Sequence, residues 1–154
     1  MNLSEFLDFD AISTRLSGGN KRSLLQQLSH MAAQRLGVDQ AIILASVTER
    51  EQLGSTGLGQ GVAIPHGKLE GLTRIYGLFA RLAEPIDYKA IDGRPVDLVF
   101  LLLSPPDVGA EHLKALAAVS RITRHGPTLD KMRGARSRDA LAAVLMGADE
   151  RDAA

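Results

Sequence analysis

A chain of 154 residues, 45% hydrophobic and 23% charged, has the length and balance of one globular domain that buries a core. Eighteen basic residues against eighteen acidic ones leave no formal net charge, so the basic excess that a nucleic-acid partner demands is missing. With no cysteine, disulfides, thiolate chemistry and cysteine zinc sites are excluded.

The first residues, MNLSEFLDFDAIS, carry acids where a secretory leader would carry lysines and an apolar run, which points to a cytoplasmic protein. Glu5, Asp8 and Asp10 alternate with Phe6, Leu7 and Phe9 and read as the solvated side of an N-terminal segment. Residues 21–36 set Leu25, Leu28, Ala32 and Leu36 at helical spacing, with Gly37 in the place of a C-terminal cap. Asp39 can cap a second helix carrying Ile42, Ile43 and Val47, which ends near Arg50. Residues 54–71 hold six glycines around Val62-Ala63-Ile64, a density that predicts loop, short strand and loop. Residues 75–83 (IYGLFARLA) read as a strand that ends at a Glu84-Pro85 turn. A second turn, Asp92-Gly93-Arg94-Pro95, feeds residues 96–104 (VDLVFLLLS), whose nearly continuous apolar run predicts a strand covered on both faces. No apolar run approaches the roughly 20 residues of a membrane span, so no membrane insertion is expected. After the Pro105-Pro106 break a helix passes through Leu113, Leu116, Ala117 and Ser120. Helical pieces at about 127–134 and 137–146 and a polar tail at 148–154 close the chain. The expected fold is α/β, a mixed β-sheet flanked by helices on both faces, in a single domain over residues 1–154.

Residues 54–72 (GSTGLGQGVAIPHGKLEGL) carry the chemistry. They fail as a Walker A loop, because Gly61 to Gly67 is one residue too long and Leu69 follows Lys68. They fail as a dinucleotide fingerprint, because Val62 stands where the third glycine belongs. No cofactor and no metal are called for. What remains is His66, aimed by Pro65 out of an extended segment and followed by Gly67. Gly59 and Gly61 upstream would let another surface approach. A histidine that attacks a phosphoryl group needs one bare ring nitrogen and a hydrogen bond that holds the proton on the other. Taken alone, such a residue is more readily a histidine satisfied locally at a strand end. His112 adds weight. It lies in the first turn of the helix after the Pro-Pro break, where the helix dipole favours an anion. His30 and His125 have no partner at ligand spacing and read as surface or helix-end residues. Lys131, Arg133, Arg136 and Arg138 read as a solvated basic face.

The segment Gly-Ser-Thr-Gly-Leu-Gly-Gln-Gly-Val-Ala-Ile-Pro-His-Gly-Lys (54–68) resembles the active-site signature of the fructose/mannitol-type IIA domains of the bacterial phosphotransferase system. Within that family the nitrogen-related branch is the most similar. The likeness extends to Arg50-Glu51, to Ile91-Asp92-Gly93-Arg94-Pro95-Val96-Asp97-Leu98 and to His112-Leu113-Lys114. The resemblance implies that His66 accepts a phosphoryl group from an HPr-like (NPr-type) donor and that His112 is the second active-site histidine. It also implies that Arg50 stands near the site, with Ser55 and Thr56 as hydroxyl residues of its rim. The function implied is a regulatory phosphocarrier ending a nitrogen-related relay and acting on protein targets. The competing reading is a sugar-specific IIA component that feeds a membrane permease. A third, a binding module without turnover, is disfavoured by the intact histidine pair.

Overall fold

The computed structural model describes residues 1–153. Two 3-10 turns, Leu3–Glu5 and Phe9–Ala11, precede β1 (Ser13–Leu16) and two helices, α1 (Lys21–Leu36) and α2 (Gln40–Gln52). Three short strands follow, β2 (Gly57–Gly59), β3 (Val62–Ala63) and β4 (His66–Lys68), then two long ones, β5 (Tyr76–Ile86) and β6 (Val96–Ser104). The helices α3 (Gly109–Thr123), α4 (Gly126–Gly134) and α5 (Arg138–Ala153) end the chain. Among the described residues the six strands form one mixed sheet in the order β1-β5-β6-β3-β2, with β4 also paired to β6.

β6 organises the molecule. It runs antiparallel to β5 and parallel to β3 and β4. Leu98, Phe100 and Leu102 face a core closed by α3, α4, α5 and the N-terminal turns. Val99, Leu101 and Leu103 face the opposite core, closed by α1 and α2. All six are fully buried, which is why the strand carries no polar alternation. Phe79 lies opposite Phe100 in the ladder, with ring centroids 4.8 Å apart.

The helix ends obey local chemistry. The Asn20 side chain accepts from the Ser23 N–H, and Asp39 accepts from the Ala41 N–H. Gly37 takes φ 68°, the left-handed conformation that closes α1.

Four expectations need correction. β5 does not stop at Glu84-Pro85 but continues to Ile86, with the register broken between Arg81 and Ile86. Within such an irregularity the missing N–H of Pro85 costs no ladder bond. Of the N-terminal acids, Glu5 and Asp10 are exposed as expected, but Asp8 is not simply solvated. Asp8 receives bonds from Arg35 Nε (2.8 Å) and Tyr76 Oη (2.6 Å), while Leu3, Phe6 and Leu7 are buried. The basic face is partly structural. Arg133 pairs with Asp97 at 2.9 Å and donates to the Gln60 carbonyl, and Arg138 donates to the Asp10 carbonyl. Finally, α5 runs on through Ala153 where a polar tail was expected, since Ala, Glu and Arg are strong helix formers. Residue 154 lies outside the described residues.

Candidate functional site

β4 carries His66 alongside β6, opposite Leu102, and the Leu102 N–H donates to the Pro65 carbonyl at 3.0 Å. The ring of His66 turns back so that Nδ1 lies 2.8 Å from the Ile64 carbonyl oxygen. A carbonyl only accepts, so Nδ1 carries the proton and Nε2 keeps its lone pair. The hydrogen bond that fixes the tautomer thus comes from the chain two residues upstream of the ring.

α2 packs directly on this strand. Ser46 Oγ donates to the Lys68 carbonyl at 2.6 Å. A Cβ on Gly67 would run into Ser46 Oγ and stand 3.1 Å from its carbonyl carbon. Gly67 is therefore required for close packing of helix on strand, beyond leaving His66 unobstructed.

The other side of the site is built by the end of β6 and the start of α3. Ser104, fully buried, is hydrogen-bonded through Oγ to His112 Nδ1. The His66 and His112 ring centroids are 5.2 Å apart, with the planes inclined at 52°. Together they line an open depression of about 400 Å³ shared with Ser46, Glu49, Arg50, Leu53, Gly67 and Lys68. Val108, which precedes α3, supplies no side-chain cap to that helix end.

Burial pushes the pKa of His66 below its usual value, against the hydrogen bond to Ile64, with Arg50 lowering and Glu51 raising it. Burial also lowers that of His112, aided by the proximity of His66 and Lys68. Both imidazoles are thereby biased toward the neutral form that a nucleophile and its hydrogen-bonding neighbour require.

The structure brings His66, His112 and Arg50 to one depression, but Ser55 and Thr56 do not line it. Ser55 Oγ accepts from the Gly57 N–H at 3.1 Å. Thr56 is buried, its hydroxyl donating to Glu51 Oε2 at 2.6 Å and lying 2.9 Å from Tyr88 Oη. The glycines expected to open a docking surface are filled from within. A Cβ on Gly59 would meet the Asp92 carboxylate at 3.1 Å, and one on Gly61 would meet Asp97 at 2.9 Å and the Arg133 guanidinium.

Ser104 is the residue that pattern reading missed, although a lone polar residue closing a buried apolar strand is a usable signal. Glu51 entered only through the resemblance, yet an acid in the last turn of a helix opposes the dipole and needs a local reason. His30 is exposed and paired with Gln40, and His125 caps α4. A larger groove of about 780 Å³ lies between α1 and α2, floored by Leu25 and Leu44, and holds no histidine. Among the described residues no group of three His, Cys, Asp or Glu side chains is placed to hold a metal ion, and no helix is long and apolar enough to cross a membrane.

Comparisons with known proteins place the chain among relatives of one family. The family model described as "Phosphoenolpyruvate-dependent sugar phosphotransferase system, EIIA 2" matches residues 5–147. A nitrogen regulatory protein of Bradyrhizobium diazoefficiens is 45% identical over 145 residues, covering 94% of this chain and 95% of that protein. The nitrogen regulatory protein of Escherichia coli is 36% identical over 146 residues, covering 94% and 90%. A fructose-specific EIIA component of Haloferax volcanii is 32% identical over 145 residues, covering 94% of each. Among solved structures, the nitrogen regulatory protein IIA-Ntr of Neisseria meningitidis superposes with a TM-score of 0.87 at 33% identity, covering 93% of this chain and 98% of that one. The mannitol IIA structure of E. coli gives 0.74 at 17% identity, covering 90% and 97%, a likeness of fold alone.

Proposed function

The chain belongs to the phosphoenolpyruvate-dependent sugar phosphotransferase system EIIA 2 family, and from that premise we propose that His66 is the residue through which it carries a phosphoryl group. It is a phosphocarrier of the nitrogen-related branch. The relatives called nitrogen regulatory proteins in Bradyrhizobium and E. coli match at 45% and 36% identity, against 32% for the fructose-specific component. The sugar-feeding reading is the weaker one.

One observation carries the assignment: Nδ1–H of His66 is committed to Ile64, so its bare Nε2 is the ring nitrogen left to react at the depression. We take the donor to be the phosphohistidine of an HPr-like (NPr-type) protein. The N–P bond forms at His66 Nε2 as the donor's N–P bond breaks. The donor imidazole, protonated on its other nitrogen, leaves neutral, and His66 keeps its Nδ1 proton. Such transfers pass through a loose transition state, so positioning and charge balance supply most of the catalysis.

The neighbours take the supporting roles. With the Ser104 hydroxyl donating to Nδ1 of His112, the His112 proton sits on Nε2 and can bond a phosphoryl oxygen. Arg50 and Lys68 offset the incoming charge. Ser55 and Thr56 support the segment behind Arg50. The chain works as a single cytoplasmic domain over residues 1–154, an enzyme only in the sense of passing on a phosphoryl group, and acts by phosphorylation-dependent binding to regulatory protein targets. Labelled phosphoenolpyruvate with the donor relay, followed by mapping of the label, tests the assignment. Label on any residue other than His66 refutes it.

A further inference from the structure

Glu51 follows Arg50 in the last turn of α2, and its side chain is only 6% exposed. A carboxylate so buried is costly unless every lone pair is used, and here they are used. Oε1 receives the Lys21 ammonium at 2.8 Å and the Thr56 N–H at 3.0 Å. Oε2 receives the Thr56 hydroxyl at 2.6 Å and the Tyr88 hydroxyl at 3.2 Å. Burial alone would raise its pKa, but the bonds from Lys21 and Thr56 outweigh it and hold the group ionised. The Lys21 ammonium also sits 4.3 Å from the centre of the Tyr88 ring.

The consequence lies one residue away. Arg50 Nη1 donates to the carbonyl of Gly54 at 3.0 Å. The guanidinium at the His66 depression is thus braced on the chain segment that Glu51 grips two residues later. Resting on the phosphocarrier reading above, we propose that Glu51 is a positioning residue for phosphoryl transfer. By holding Thr56 from the helix turn that carries Arg50, it fixes residues 54–56 and, through Gly54, the Arg50 side chain beside His66.

The carboxylate also acts on the site through space. His66 is faced by Arg50 and Glu49 from α2, by Lys68 on its own strand and by His112 from α3. Glu51 lies behind them and favours the protonated form of His66, while Arg50 opposes it.

A double-mutant cycle tests the coupling, with initial rates of phosphoryl acceptance measured on Arg50→Ala, Glu51→Ala and the double variant. If Glu51 acts through Arg50, each single change slows acceptance on the order of 10-fold or more. The double variant is then no slower than Arg50→Ala alone. Rates that fall by the product of the two single effects overturn the proposal. A second readout is independent of transfer. In Glu51→Gln, which keeps the shape and removes the charge, the NMR titration midpoint of His66 falls below wild type, whereas Tyr88→Phe leaves it in place. An unchanged midpoint in Glu51→Gln, or an equal shift in Tyr88→Phe, also overturns it. Should Glu51→Ala fail to fold, the titration decides. If wild-type protein accepts no phosphoryl group, the carrier reading falls, and the titration still settles whether Glu51 acts on His66.

Discussion

His66 and His112 meet across the depression with centroids 5.2 Å apart, and each has already spent Nδ1 on the protein, one on the Ile64 carbonyl and the other on Ser104 Oγ. Both therefore have Nε2 left for a third party. Their inequality follows from the partners. A carbonyl can only accept, so His66 has its lone pair on Nε2, whereas the Ser104 hydroxyl can donate and let His112 hold its proton on Nε2. That inequality suits the roles proposed for them, His66 attacking and His112 donating.

His66→Ala is expected to abolish labelling by the phosphorylated donor. The wild-type label should be acid-labile and base-stable, as a phosphoramidate is. Retention of label by the variant at the wild-type level would refute the role of His66.

His112→Ala is expected to keep the label but to slow its arrival on the order of 10²-fold, the loss typical of one transition-state donor. Ser104→Ala should slow it less, since it loosens the tautomer without removing the ring. Single-turnover kinetics with the phosphorylated donor distinguish the two. A Ser104→Ala rate below that of His112→Ala would contradict the assigned order.

The pH dependence has a definite sign. Burial holds both imidazoles below their usual value of about 6.5. Acceptance should persist into mildly acidic solution and decline only as pH falls through the depressed midpoint of His66. Stability follows the same direction. The unfolded chain takes up these protons first, so the stability present above about 6.5 is lost progressively as pH drops through the folded-state midpoints. NMR titration of the ring protons, alongside denaturant melts across pH 5–8, checks both. A His66 midpoint at or above the reference value contradicts the burial argument.

Two glycines, one at the site and one in α5, lend themselves to a stability measurement. Gly67→Ala forces a Cβ against Ser46, so it should cost about 1–3 kcal/mol as the helix shifts from the strand. Gly147 lies within α5 with nothing in the space of a Cβ, so Gly147→Ala should stabilise by about 0.5–1 kcal/mol. Urea melts of the two variants should move in opposite directions. Equal and small shifts would mean that α2 yields to a methyl group without penalty.

Much of this architecture is legible in the chain. The nearly continuous apolar run of β6 announces burial on both faces, and Gly37 and Asp39 mark the end of α1 and the start of α2 by cap chemistry alone. Apart from the length of α5, the failures share a cause, since they concern partners distant in sequence. Pro85 reads as a strand end because its tolerance depends on the register irregularity opposite β6. Asp8 reads as solvated because Arg35 and Tyr76 are supplied by other elements. Gly59 and Gly61 read as an open surface because nothing in the pattern places Asp92, Asp97 and Arg133 against them. The candidate site divides in the same way. The Pro65-His66-Gly67 triplet points to the proposed nucleophile, whereas the approach of His112 and the turning inward of Thr56 toward Tyr88 are products of the tertiary fold.

The last prediction concerns what the phosphoryl group changes. The phosphoryl group brings roughly two negative charges and three acceptor oxygens, by analogy with other phosphorylated side chains. The ring that keeps its Nδ1 proton becomes cationic, so the site gains about one net negative charge. In this site the phosphoryl group would appear between Arg50 and Lys68, which offset part of that charge, and beside Glu49, which opposes it. The depression is edged by Leu53, 82% exposed, while Leu113, 67% exposed, follows His112 directly. A target that covers this rim must desolvate the phosphoryl group, and apolar contacts give nothing in return for its lost water. Such a target should bind the unphosphorylated form more tightly, on the order of 10²-fold, without any change of fold. Titration calorimetry with partners captured on each form measures the difference, using the phosphorylated protein itself because His66→Glu puts its charge in a different place and lacks the ring and the three phosphoryl oxygens. Leu53→Ser should weaken binding of the unphosphorylated form and narrow the gap between the two. Equal affinity of both forms for every captured partner would remove the basis for regulation by binding and leave onward transfer of the phosphoryl group as the function of His66.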